Sequence, residues 1–154
     1  MRLYLLRHGE ADWPNWSKPD DERPLTDAGK KEMRKVAKLL KALDISLDDI
    51  LTSPLPRARQ TAEIVAERFD LPVHEEESLA PGFGSQELKQ LVRKYRVDAL
   101  MIVGHEPDFT NVISGLTGAN SKLSKAGVAL IDLNGSDSKG RLLWLFPPKV
   151  AKAL

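Results

Sequence analysis

The chain reads as an α/β domain, a three-layer αβα sandwich with a mostly parallel central sheet, because short apolar runs suited to buried strands alternate with longer stretches of helical period. The runs are Leu3 to Leu6, Ile50 to Leu51 and Ala99 to Val103. Size and composition agree with this. The chain has 154 residues, 42% of them hydrophobic, enough for one domain over residues 1–154 that buries roughly two thirds of its unfolded surface.

The elements follow in order. Arg2-Leu3-Tyr4-Leu5-Leu6 is strand-like from the start of the chain. The segment from Trp13 to Asp21 is a loop by its prolines and acids, and Trp13 and Trp16 either pin it to the core or touch substrate. From Thr26 to Leu43, Met33, Val36, Ala37, Leu40 and Leu43 share one helical face, opposite Lys30, Lys31, Lys35 and Lys38, with Thr26 as N-cap. A second helix is expected from Ser53 to Phe69, with Ser53 as cap, Pro54 in the first turn and Ala58, Ala62, Val65 and Phe69 as the buried stripe. A third spans Ser85 to Arg96, and a fourth starts at Pro107 and runs to Gly115 or Gly118. Gly127 to Leu133 followed by Asn134-Gly135 reads as a late strand and turn. The tail from Pro147 to Leu154 carries no signal, and no repeat is present.

Lys and Arg total 23 against 22 Asp and Glu, so no uniformly basic field is available to hold a nucleic acid, and any anion must be bound locally. The chain has no cysteine, which removes disulfides, thiolate nucleophiles and thiolate metal sites. The strand-like start leaves no room for a signal segment, and no apolar run approaches the roughly 18 residues of a membrane span. A cytoplasmic protein is the expectation.

Three polar clusters follow strands or open helices: Arg7-His8-Gly9-Glu10, Ser53-Pro54-Leu55-Pro56-Arg57-Ala58 and Gly104-His105-Glu106-Pro107. In an open parallel sheet such clusters converge beyond the carboxyl ends of the strands. An imidazole can attack phosphorus when its other ring nitrogen is held in the right tautomer, which suits His8. The charged oxygens of a transferring phosphoryl group call for fixed guanidinium forks, which Arg7 and Arg57 supply, and His105 can add a hydrogen bond. Gly9 removes a side chain beside the nucleophile, so that phosphate and backbone can come close.

These residues, together with Leu25-Thr26-Asp27-Ala28-Gly29, the run from Ser53 to Ala62 and Val103-Gly104-His105-Glu106-Pro107, make the chain resemble the histidine phosphatase superfamily. The resemblance implies a phosphoglycerate mutase-like fold and cofactor-independent phosphoryl transfer. Within the superfamily, the short length, Arg23-Pro24-Leu25-Thr26 and Leu79-Ala80-Pro81-Gly82 look like the branch of SixA-type phosphohistidine phosphatases. By that likeness His8 accepts the phosphoryl group, Arg7, Arg57 and His105 form its pocket, and Arg23 reaches the rim. The implied partner is a phosphorylated protein, a phosphotransfer domain or phosphocarrier bearing phosphohistidine.

Larger relatives carry an acidic proton donor in the stretch that corresponds here to Leu79-Ala80-Pro81, and Pro81 cannot donate a proton. Glu75, Glu76 and Glu77 read as a solvated charge run. Glu10 and Glu106 belong to the His8 and His105 clusters and remain candidates for an acid. Without one, a phosphorylated imidazole is the easier substrate, because it leaves as neutral imidazole when its distal nitrogen is protonated. Three other functions fit less well: a broad small-molecule phosphomonoesterase, a noncatalytic phosphohistidine-binding module, and a metal-dependent hydrolase built on His8, His74 and His105. The last lacks close ligand spacing.

Overall fold

A strand covered on both faces must be apolar at consecutive positions, and Leu3 to Leu6 meet this demand in the computed structural model, which describes residues Met1–Leu154. β1 (Arg2–Arg7) lies inside a six-stranded sheet with β2 (Asp49–Thr52), β3 (Val73–Glu75), β4 (Ala99–Gly104), β5 (Val128–Asp132) and β6 (Arg141–Phe146), in the order β3-β2-β4-β1-β5-β6. β1 to β4 are parallel, β5 is antiparallel to β1, and β6 is antiparallel to β5.

Alternation along the strands feeds two cores. Tyr4 and Leu6 face α1 (Asp27–Ala42) and α2 (Pro56–Phe69), where Met33, Val36, Leu40, Ala58, Ala62 and Val65 are fully buried. Leu3 and Leu5 face α3 (Ser85–Lys94) and α4 (Asp108–Thr117), through Leu88, Leu91, Phe109 and Ile113. The three-layer αβα arrangement with a mostly parallel sheet is therefore present.

Local signals explain most of the ends. Thr26 caps α1, its Oγ1 accepting from Gly29 N at 3.0 Å, a contact of a kind worth about 1 kcal/mol. Gly118 ends α4 in the left-handed region, and Asn134 and Gly135 turn β5 toward β6 with positive φ. Four expectations need correction. Leu43 is exposed, because α1 stops at Ala42 before the stripe returns to the sheet. Ser53 does not cap α2, which starts at Pro56 after Leu55; the Ser53 hydroxyl is engaged elsewhere, and Pro56, not Pro54, fills the first turn. α3 ends at Lys94, short of Arg96. The acidic run is not uniformly solvated, since Glu75 pairs with Arg59, and Glu76 with Lys94 and Tyr95. The tail forms a 3-10 turn, Pro148–Ala153, that packs Ala151 against the α1 side of the sheet. No helix is long and apolar enough to cross a membrane.

Candidate active site

Strand register assembles the site. Arg7 lies opposite Gly104 and Thr52 opposite Val103, so His8, Ser53 and His105 leave the carboxyl edge of three adjacent parallel strands side by side. The His8 and His105 rings are 5.4 Å apart between centroids, and both residues are buried, as is Arg57. Backbone bonds fix the first turn: His8 N donates to Gly104 O, and Ala126 N donates to the Arg7 and His8 carbonyls.

The tautomer of His8 follows from its partner. Nδ1 lies 2.8 Å from Gly9 O, and a carbonyl can only accept, so Nδ1 carries the proton and the lone pair of the neutral ring is on Nε2. Burial depresses the His8 pKa to about 4; the Gly9 bond opposes this, and the charges of Arg57, Arg7 and Arg23 reinforce it. His105 is pushed down to about 3 by burial, then by the charges of His8, Arg57 and Arg7. Its Nε2 is 2.8 Å from Ser53 Oγ, which already accepts from Leu55 N. When that hydroxyl donates to Nε2, the His105 proton is on Nδ1, a buried atom with no protein partner.

The arginines show a common pattern. Arg7 Nη1 donates to Leu123 O, Arg57 Nη1 to Asp20 O at 3.0 Å, and Arg23 Nη1 to Ala11 O at 2.7 Å. In all three, Nε is buried and unpartnered within the protein. The outer arms are thus tied to carbonyls, while an N–H edge of each guanidinium is left for another acceptor. Buried donors of this kind are costly to leave unpaired, which fits a site made to take an oxyanion. Arg23 is no isolated loop charge: its Nη2 and Arg57 Nη2 meet the same Asp20 carboxylate, at 2.9 and 3.3 Å.

Several candidates take different places from those expected. Gly9 offers no opening toward the pocket, since its N donates to Thr61 Oγ1 and an added Cβ would lie 3.0 Å from Met33 Cγ; its smallness serves the packing of α1. Glu10 accepts from Thr26 Oγ1 and Asp12 N, and Glu106 from Thr110 N and Oγ1, so both carboxylates serve helix starts. His74 pairs with Asp49 beside Tyr95 at the sheet edge, away from the other two histidines. The two indoles of the first loop donate to Pro24 O and Pro19 O, and neither joins an apolar core, so they brace the loop itself and do not pin it to the core.

Reasoning from sequence missed Ser53 as the partner of His105, and Thr61, which accepts from Gly9 N while donating to Arg57 O and so ties the His8-Gly9 loop to α2. It also missed Asp20. The motif held a signal for the first two, as both lie in the run from Ser53 to Ala62; nothing marked Asp20 among its acidic neighbours. Gly29 is a further case: an added Cβ would collide with Glu10 O, so helix α1 can approach the loop after β1 only with glycine there.

Both histidines have folded pKa values below the unfolded value of about 6.5. Above that pH both states are neutral; as pH falls, the unfolded chain takes up protons that the folded one refuses, so stability is lost from about pH 6.5 down to about 4 for His8 and about 3 for His105. At pH 5 the loss is roughly 2 kcal/mol per imidazole. Urea denaturation at pH 7 and pH 5 should show it, and His105→Asn should show a smaller difference; an equal difference would place the acid sensitivity elsewhere.

A sheet whose carboxyl edge presents paired imidazoles and arginine edges, between two helical layers, belongs to the phosphoglycerate mutase-like α/β proteins. The chain is a member of the histidine phosphatase superfamily (branch 1), whose family model matches residues 3–91. It is 30% identical over 165 aligned residues, spanning the whole of both chains, to the phosphohistidine phosphatase SixA of Escherichia coli strain K12. A Picosynechococcus protein of uncharacterized function is 38% identical over 138 residues, 83% of this chain and 82% of that one. The solved structure of the protein histidine phosphatase SixA complexed with tungstate superposes with a TM-score of 0.85 at 26% identity, covering 97% of this chain and 99% of that one.

Proposed function

We propose that this chain, as one domain over residues 1–154, is a phosphohistidine phosphatase that removes phosphate from a phosphohistidine-bearing protein by way of a phosphoryl group on His8. The observation that carries the reading is the His8 Nδ1 contact with Gly9 O, which directs the lone pair to Nε2 in a ring kept neutral by burial. A phosphate-binding module needs donors, not a nucleophile held in one tautomer. The whole-length likeness to a phosphohistidine phosphatase supports the substrate class.

In this scheme Arg7, Arg57 and the rim residue Arg23 hold the phosphoryl oxygens through N–H groups, and His105 adds a donor where charge develops. Nε2 of His8 forms a bond to phosphorus as the bond to the substrate nitrogen breaks, and that electron pair stays with the departing imidazole. His8 keeps its proton on Nδ1, donated to Gly9 O, throughout. Water then attacks phosphorus, the P–Nε2 bond breaks, both water protons leave with the phosphate, and neutral His8 returns. The fitting partner is a phosphotransfer domain or phosphocarrier protein. Rapid quenching after mixing with a radiolabelled phosphohistidine protein should trap acid-labile phosphate on His8. Turnover with no such species would rule out the covalent route, and an alkyl phosphate hydrolysed as fast as the phosphohistidine protein would remove the substrate assignment.

A further inference from the structure

We infer that Asp20 is the residue that selects the leaving group, its carboxylate accepting a hydrogen bond from the distal ring N–H of a phosphorylated imidazole; this rests on the reading of the chain as a phosphohistidine phosphatase. The leaving ring of such a substrate is positively charged while the phosphoryl group is attached. Three arginines surround that group, so a cationic leaving ring is disfavoured unless a carboxylate faces it.

Asp20 is placed for this. Its carboxylate bridges the two arginines of the rim, Oδ2 to Arg57 and Oδ1 to Arg23, and its own backbone carbonyl accepts from Arg57 Nη1, which fixes the residue independently of its side chain. The Arg57 side chain is 8% exposed and that of Asp20 72%, so the carboxylate marks the solvent side of the guanidinium. With His8 buried on the inner side, an in-line displacement sends the leaving group outward, toward Asp20. The charge of Asp20 also reaches the His105 ring across the pocket. Each oxygen has a second lone pair free for a further donor. Glu10 and Glu106 serve helix starts, Asp12 pairs with Lys125 and Arg23, and Asp108 accepts from Gly82 N, while Asp21, whose charge also reaches Arg57, makes no ion pair with either rim arginine as Asp20 does.

The step balances without a general acid. The P–N bond to the substrate breaks, its electron pair becomes the lone pair of the proximal nitrogen, and the proton on the distal nitrogen stays there, hydrogen-bonded to Asp20. The ring departs as neutral imidazole. Gly9 O plays the same part for His8, holding the Nδ1 proton while Nε2 carries phosphorus. A phenolate leaving group has no such proton to offer, and a leaving group with its own carboxylate is repelled.

The test compares Asp20→Asn with the wild-type chain on phosphoimidazole and on p-nitrophenyl phosphate. Asparagine keeps the size and loses the charge. We expect kcat/KM for phosphoimidazole to fall about 30-fold and that for the aryl ester no more than about 3-fold, a shift in the ratio near tenfold. The alkaline limb of the kcat profile for phosphoimidazole should move down by about one unit in the variant, because the bound ring loses the carboxylate that holds its proton, while the aryl profile stays in place. Equal losses on both substrates, or an unmoved limb, would overturn the inference and leave Asp20 as a holder of the arginines. A wild-type chain that hydrolyses the aryl ester but not phosphoimidazole would instead refute the phosphohistidine reading, and this inference with it.

Discussion

His8→Ala is expected to lower turnover by about 10⁴-fold or more, the loss typical of removing a covalent nucleophile, while the fold survives. The imidazole sits past the end of β1, its one hydrogen bond is to the adjacent Gly9 carbonyl, and it belongs to neither apolar core. Its removal therefore costs little packing. Thermal unfolding should stay within a few degrees of wild type, with a shift upward in acid because one buried neutral imidazole has been deleted. The same variant should give no acid-labile phosphate after rapid quenching. Activity near the wild-type level in a folded His8→Ala chain would remove His8 from the reaction.

The second large effect concerns the leaving group. Phosphohistidine and activated aryl phosphates should be turned over, and unactivated alkyl phosphates should be slower by a large part of the general-acid contribution, about 10² to 10⁴. Pro81 stands exposed in the loop between the Glu77–Leu79 turn and α3, and it brings no proton. Glu10 and Glu106, which follow His8 and His105 in the chain, are held by threonine hydroxyls and backbone amides. Asp20 is engaged as an acceptor by two arginines, Oδ1 by Arg23 and Oδ2 by Arg57. Single-turnover rates along a series of aryl phosphates should fall steeply as the leaving phenolate becomes more basic. A flat series with rapid cleavage of an alkyl phosphate would establish that an acid does protonate the leaving group, and a small-molecule phosphomonoesterase would then be the better description.

Much of the molecule was legible in the chain because the signals were local. Short consecutive apolar runs at Leu3 to Leu6 and Ala99 to Val103, alternating with helical stretches, read as strands covered on both faces, as they are. The 3.6-residue stripe from Met33 to Leu40 and the Thr26 cap marked α1. β3 was not legible, since three residues beside proline and acids carry no periodicity, and β6 was hidden because an edge strand of Arg141-Leu142-Leu143-Trp144-Leu145-Phe146 has no alternation of its own. The error at Ser53 has a similar origin: serine before proline signals a helix cap, and only the neighbouring strand end shows that its hydroxyl is needed by His105.

By itself the sequence determined the α/β class and the positions of Arg7, His8, Arg57 and His105 at element ends, because these depend on residue type and spacing along one segment. The tertiary structure alone decided which nitrogen of His8 is free, that Gly9 serves packing, that Glu10 and Glu106 are occupied, and that Arg23 joins Arg57 through Asp20. Proton position, burial and ion pairing are set by atoms brought within hydrogen-bond reach from distant parts of the chain, and a periodicity or a motif holds no record of those distances.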